Sequence, residues 1–388
     1  MSRAFQAPGR VNLIGEHTDY TGGFVLPMAI PFTTTATLKP AEENYQFEST
    51  LFSHVHRLSS EDRGPAIGDW SDYPVGVLRQ LQMRGVNFAP FTLELSGDVP
   101  LGAGLSSSAS VEVATAMALL AHAGLSLPSA EIATLCRAAE NDFVGSPCGI
   151  MDQFVITAAE QGHALLLNTG DLSYELLPMN AGKLAECSVV VANSMVQHSN
   201  SDGAYGVRRQ EVEQGQTALR AKFPDLVDLS GAGLAQLNEA RSTMSPEAFL
   251  RCRHIITENQ RVMEARSAML AGDPVRLGSV MTAAHASERD DFACSIPEID
   301  FLVEVANTIE GCFGARLTGG GFGGCTVNLV HGSAVEAFKQ KLADAYLNRF
   351  SIPGEFYVCA AVDGAMRRAG FAASVTETAE QIRPGVVL

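Results

Sequence analysis

"VPLGAGLSSSASVEVA", Val99 to Ala114, decides how the rest of the chain is read. The alternating "FTLELSGDV" that leads into it has the period of a strand, and "SASVEVATAMALLAHAG" that follows is rich in helix formers and stops at Gly124. Between them lie Gly102, Ala103, Gly104 and Leu105, then Ser106, Ser107 and Ser108 at the mouth of the helix. A helix start leaves N–H groups unpaired and carries partial positive charge, so it attracts anions. Glycines let backbone approach a phosphate closely, and a serine hydroxyl can also ligate a divalent cation. A single serine would serve as a cap on a buried helix. Three in a row exceed that need, so the segment reads as a phosphate cradle. It is not a Walker A loop, because no G-x-x-x-x-G-K-[ST] occurs and no lysine is near the serines.

A second glycine-rich stretch, "TGGGFGGC" from Thr318 to Cys325, formally contains G-x-G-x-x-G. It precedes "CTVNLV", a strand, whereas a dinucleotide fingerprint opens a helix, so it reads as a turn between strands. Such a turn is either structural or brings backbone close to a ligand.

Outward from these motifs, the first half of the chain is mixed α and β. From Tyr205 to about Glu288 it is mostly helical. After Pro297 an α-β-β-α-β order predicts a compact α+β unit, with Ser333 as the expected N-cap of its second helix. The length of 388 residues exceeds what one core usually supports, so two lobes are expected, with a boundary between Ala181 and Tyr205.

A net charge of −16 and the lack of any Lys/Arg run argue against nucleic acid as a partner. Eight dispersed cysteines without C-x-x-C read as reduced core thiols of a cytoplasmic protein. No signal-peptide core is evident at the start, and no apolar stretch is long enough for a membrane span.

Charged residues stand out in two places. "GRVNLIGEHTDY", Gly9 to Tyr20, interleaves Arg10, Glu16, His17 and Asp19 with Val11, Leu13 and Ile14. In isolation "EHTD" reads as a solvated helix start. "CGIMDQF" sets Asp152 between Met151 and Phe154, and Glu140 ends the preceding helical run. An aspartate so flanked is either paired or chemical. "VRRQEVEQ" reads as a solvated helix face with Arg208 and Arg209 opposite Glu211 and Glu213, and "HVH" at His54 to His56 as a strand surface.

These segments together resemble the galactokinases, members of a kinase superfamily that includes mevalonate and homoserine kinases. "APGRVNLIGEHTDYTGGFVLPMAI" is similar to the sugar signature, "VPLGAGLSSSASVE" to the phosphate loop and "LTGGGFGGCTVNLV" to the third superfamily motif. "CGIMDQF" and "SERDDFACSIPEIDFL" match further family segments, so the resemblance spans nearly the whole chain.

The resemblance implies an α+β, two-lobed small-molecule kinase fold. The N-terminal mixed α/β lobe, ribosomal protein S5 domain 2-like, would span 1–190. A ferredoxin-like α+β lobe would span 191–388, with the active site between them. It implies transfer of the ATP γ-phosphoryl group to the anomeric hydroxyl of D-galactose by a cytoplasmic monomer, with galactose and ATP as partners. It makes Asp152 the catalytic base and Arg10 its neighbour. Glu16, His17, Thr18, Asp19, Gly149 and Tyr205 become sugar contacts. Gly102, Ala103, Gly104, Leu105, Ser106, Ser107 and Ser108 hold ATP phosphates, Trp70 lies near adenine, and Ser108 with Glu140 ligates Mg²⁺. Glu16 and Asp19 are expected to offer bidentate acceptors to vicinal hydroxyls. One departure is "NSMVQHSNSDGAYGVRRQE", with Gly206 where the family commonly has Asn. Alternatives are an N-acetylgalactosamine kinase and a non-catalytic galactose sensor.

Overall fold

The computed structural model describes residues 3–197 and 201–370. Its first part runs β1 (Ala4–Asn12), β2 (Phe24–Val25), β3 (Pro27–Pro40), β4 (Asn44–Ser49), β5 (His56–Ser59), α1 (Asp72–Met83), β6 (Phe91–Gly97), α2 (Ser107–His122), α3 (Ser129–Ala138), α4 (Met151–Ala158), β7 (His163–Asn168) and β8 (Tyr174–Pro178). The second runs β9 (Cys187–Gln197), α5 (Ser201–Lys222), α6 (Leu234–Ala240), α7 (Pro246–Leu270), α8 (Pro274–Ser287), α9 (Pro297–Thr308), β10 (Cys312–Thr318), β11 (Gly323–His331), α10 (Val335–Phe350), β12 (Glu355–Cys359) and α11 (Ala365–Arg368).

A five-stranded sheet, β1-β3-β6-β4-β5, is covered on one side by α1 to α4, and a four-stranded antiparallel sheet, β10-β11-β9-β12, organises the second lobe. Within the first sheet only β4 and β6 pair parallel. This is the two-lobed α+β architecture expected, including the α9-β10-β11-α10-β12 order. Ser333 does not cap α10. It lies in a 3₁₀ turn, Gly332–Ala334, where its own N–H is bound by the His331 side chain.

Three apolar clusters result, one in each lobe and one at their junction. In the junction cluster Val11, Leu13 and Ile14 pack with Ala103, Leu105, Val191, Val262 and Val327. The apolar residues of the segment that carries Arg10 and Glu16 thus lock it between both lobes. Two π-helical turns interrupt the helices. Ala139–Val144 follows α3 and Glu288–Phe292 follows α8, and each carries a buried glutamate in its first two residues, Glu140 or Glu288. Such turns recur at functional sites because the widened spiral re-aims a side chain.

Candidate active site

β1 supplies Arg10, and the first turn of α4 supplies Asp152. Arg10 Nε and Nη2 donate to the two carboxylate oxygens of Asp152, each at 2.6 Å, in a side-on fork. Burial alone would lower the Arg10 pKa, but Asp152 beside it prevails and the net direction is upward. Asp152 keeps 26% of its side-chain surface exposed, so it meets solvent or substrate on its free side.

The glycine loop is held by its carbonyls. Cys325 Sγ donates to Ala103 O, Arg10 Nη1 to Gly104 O at 2.7 Å, and the Arg10 N–H to Leu105 O at 3.1 Å. In a trans peptide the next N–H points the opposite way, so these contacts turn the N–H groups of Gly104, Leu105 and Ser106 outward. Gly102, Gly104 and Ser106 have φ of 69°, 72° and 61°, alternating with the buried Ala103 and Leu105. That alternation forms a concave nest of N–H groups suited to an anion. Ser106 Oγ donates to Asp152, whereas Ser107 and Ser108 line a separate cavity of about 150 Å³ with Trp70, Phe52 and Tyr73. Trp70 stacks on Phe52 at 5.7 Å and 4°. Its segment is fixed by Asp72, whose carboxylate takes the N–H groups of Ile67, Gly68 and Asp69.

Ser108, in the first turn of α2, is a polar neighbour of Glu140. Glu140 is pushed up to about 7, first by burial and then by Asp152. Gln153 Nε2 bridges Glu140, at 2.7 Å, and the fully buried Glu112, at 3.1 Å. Among the described residues no group of three or more His, Cys, Asp or Glu could hold a metal by itself.

A second cavity, about 170 Å³, is lined by Arg10, Glu16, His17, Asp19, Cys148, Gly149, Asp152, Tyr205, Gly319 and Gly320, among others. "EHTD" is not a solvated helix start but a buried turn clamped by α7. Glu258 takes the Gly15 N–H at 2.9 Å, His254 Nε2 lies 3.1 Å from Glu16 O, and Asn259 takes the Phe24 N–H at 2.8 Å.

Within the turn, Glu16 Oε1 accepts from Arg316 Nη1 at 3.2 Å and from the Gly319 N–H at 2.8 Å, while Oε2 accepts from Asn12 at 2.7 Å. A carboxylate has about four acceptor positions, so roughly one is left for a ligand. Glu16 is therefore a single directed acceptor, not the free bidentate one expected. His17 sits at φ 64°, stacks on Phe292 at 3.9 Å, and leaves its buried Nε2 without a protein partner. Burial drives its pKa well down, with His254, Arg316 and Arg209 adding to the effect, so the ring is neutral. Thr18 is not in the lining: its hydroxyl lies 2.7 Å from Phe24 O and 2.9 Å from Gly15 O, tying the turn together. Asp19 is raised to about 6 by burial, then by Asp152 and Glu16. A Cβ at position 149 would overlap the Asp19 carboxylate, so any larger residue there displaces Asp19.

Arg209 is not on a solvated face. Its guanidinium lies 4.6 Å from the Tyr20 ring centre, and its buried Nη1 has no protein partner. Arg208 does pair with Glu211, at 3.1 Å. The usable signal was helical spacing, since Arg209 is four residues from Tyr205 and shares its side of α5. Arg316 was also missed, and its signal was a charge inside the apolar strand "GARLT". The stretch His198–Asn200 of the departing segment lies outside the described residues. No described helix is long and apolar enough to cross a membrane.

Comparison with known proteins gives three family matches: the galactokinase galactose-binding signature over residues 2–40, the GHMP kinases N terminal domain over 72–160, and the GHMP kinases C terminal over 265–348. A galactokinase of Roseiflexus sp. is 40% identical over 93% of this chain and 92% of its own. One of Halalkalibacterium halodurans is 38% identical over 93% and 92%. The structure of Lactococcus lactis galactokinase complexed with galactose superposes with a TM-score of 0.89 at 31% identity, covering 94% of each chain. Methanococcus jannaschii mevalonate kinase, at 18% identity and TM-score 0.68, shares the fold.

Proposed function

Because the chain belongs to the galactokinase family of the GHMP kinases, we propose that it transfers the γ-phosphoryl group of Mg-ATP to the anomeric hydroxyl of D-galactose, giving galactose 1-phosphate. The observation that carries the reading is the Arg10–Asp152 fork, which joins the glycine nest to the cavity of Glu16, His17 and Asp19.

Galactose occupies the cavity of Glu16, His17 and Asp19. Its anomeric hydroxyl meets the exposed side of Asp152, and its other hydroxyls meet Glu16, His17, Asp19 and Tyr205. The nucleoside lies against Trp70 and Phe52, and its phosphates rest on the N–H groups of the 102–108 segment. Ser108 and Glu140 suit Mg²⁺. They offer one hydroxyl and one carboxyl, and the carboxyl is raised by its burial and by Asp152; magnesium usually takes few protein ligands beside phosphate and water. Bound there, the ion would neutralise charge on the β- and γ-phosphates.

Phosphoryl transfer is loose, so alignment and charge stabilisation outweigh base strength. Asp152 accepts the hydroxyl's hydrogen bond, orients the oxygen, and takes the proton as the new P–O bond forms. Arg10 holds Asp152 in place and stabilises charge on the phosphoryl group. The intact fork disfavours a non-catalytic sensor. Eight free cysteines fit a reducing, cytoplasmic setting. We take residues 1–190 and 191–388 as the two lobes.

The test is a coupled ADP-release assay over galactose, N-acetylgalactosamine, glucose and talose. Turnover restricted to galactose-configured sugars supports the reading. Galactose binding without turnover would favour a sensor, and faster turnover of N-acetylgalactosamine would move the assignment to that sugar.

A further inference from the structure

We propose that Glu288 and Arg316 are positioning residues for sugar recognition: from beneath the cavity they fix the Glu16 carboxylate in the orientation that meets a substrate hydroxyl. The proposal rests on Glu16 being a sugar contact.

Arg316, on β10, is completely buried and bridges two carboxylates. Its Nη1 lies 3.2 Å from Glu16 Oε1 and 3.3 Å from Asn12 O, and its Nη2 donates to Glu288 Oε1. Two polar atoms of the second pair have no hydrogen-bond partner, Arg316 Nε and Glu288 Oε2, the latter 3.9 Å from His285 Nδ1. One is a donor and the other an acceptor. They are the atoms that complete a side-on fork of the kind Arg10 makes with Asp152 in this same protein. The Nε/Nη2 edge of Arg316 thus belongs to Glu288, which leaves Nη1 aimed at Glu16. Neither Glu288 nor Arg316 lines the cavity, and the cavity-lining side chain that Arg316 hydrogen-bonds is Glu16.

A buried ion pair adds little net stability over apolar residues of similar size, because two charges lose their hydration. Its effect here is geometric. Glu16 has roughly one acceptor position left, and the direction of that position is set by the bonds filling the others. Glu288 starts one of the two π-helical turns, and the other carries Glu140. The re-aimed helix is what brings a carboxylate from the end of α8 under β10.

The experiment measures steady-state kinetics with galactose and ATP varied separately, on wild type, Glu288→Gln, Glu16→Gln and the double variant. Glu288→Gln keeps the volume but turns an acceptor of the fork into a donor. The expected result is a rise in KM for galactose of about 10- to 100-fold, the range for a lost charge-assisted hydrogen bond. KM for ATP and kcat should stay within about twofold. Adding Glu288→Gln to Glu16→Gln should raise KM no further, because a residue acting through Glu16 has nothing left to position.

Arg316→Lys should resemble Glu288→Gln, since an ammonium lacks the planar fork that holds Glu288 on one edge while Nη1 faces Glu16. An unchanged galactose KM in Glu288→Gln, an additive rise in the double variant, or an equal rise in KM for ATP each overturns the proposal. If wild type turns over galactose, those results leave the proposed activity standing. If wild type neither binds nor phosphorylates galactose, the activity and the positioning role fall together.

Discussion

Asp19 and Asp152 share one cavity, and their surroundings separate their tasks. Asp152 is paired with Arg10, and its replacement by Asn should leave galactose binding intact while kcat drops about 10²- to 10⁴-fold. Near-wild-type turnover in that variant would remove it as the base. Asp19 lies opposite Glu16 and Asp152, and its pKa is raised to about 6. A carboxyl raised in the folded state binds its proton more tightly there than in the unfolded chain. The sign follows directly: the free protein gains stability below the unfolded pKa and loses it as pH rises through about 4 to 6. Asp19→Asn should therefore unfold at a higher temperature than wild type above pH 6, yet lose galactose binding. Calorimetric unfolding across pH 4 to 8, with and without galactose, checks both parts. A variant no more stable than wild type at pH 7 would count against the buried-charge account.

At the scale of elements, the glycine loop and the two π-helical turns separate nucleotide from sugar functions. Gly104 lies at φ 72°, and its carbonyl is pinned by Arg10. An alanine there is strained by about 1–2 kcal/mol. It should raise KM for ATP and spare galactose binding, which titration with each ligand alone would resolve. Loss of galactose binding instead would show that the loop also shapes the sugar cavity. Glu140, at the start of the first π-helical turn, should set the cation requirement. Glu140→Ala should need more Mg²⁺ for half-maximal activity and bind Mg-ATP more weakly. Unchanged Mg²⁺ dependence would end its role as a ligand.

At the scale of the molecule, the junction cluster packs residues of both lobes together beside the cleft. Ile14 is fully buried in that cluster, two residues before Glu16. Ile14→Ala should lower stability by about 2–5 kcal/mol, as other large-to-small core changes do. Its galactose affinity should fall too, because the turn loses its anchor. Denaturant unfolding and galactose titration on the same variant measure the two effects. A stability loss with unchanged affinity would mean that α7 alone holds the turn.

The sequence by itself determined the fold class and the chemistry of the segments. Gly102 to Ser108 between a strand and a helix reads as an anion cradle, and Val11, Leu13 and Ile14 beside Arg10 read as an anchored polar segment. These are local facts, set by backbone freedom and hydrophobic period. Only the tertiary structure decided which charges act together. Arg10 meets Asp152 across 142 positions of chain, and Arg316 meets Glu16 across 300. Arg209, which local spacing assigned to a solvated face, turns to Tyr20 because α5 packs over the turn. Thr18, within the signature, spends its hydroxyl inside the turn. Pairing energy depends on distance and burial after folding, and neither is encoded by spacing along the chain.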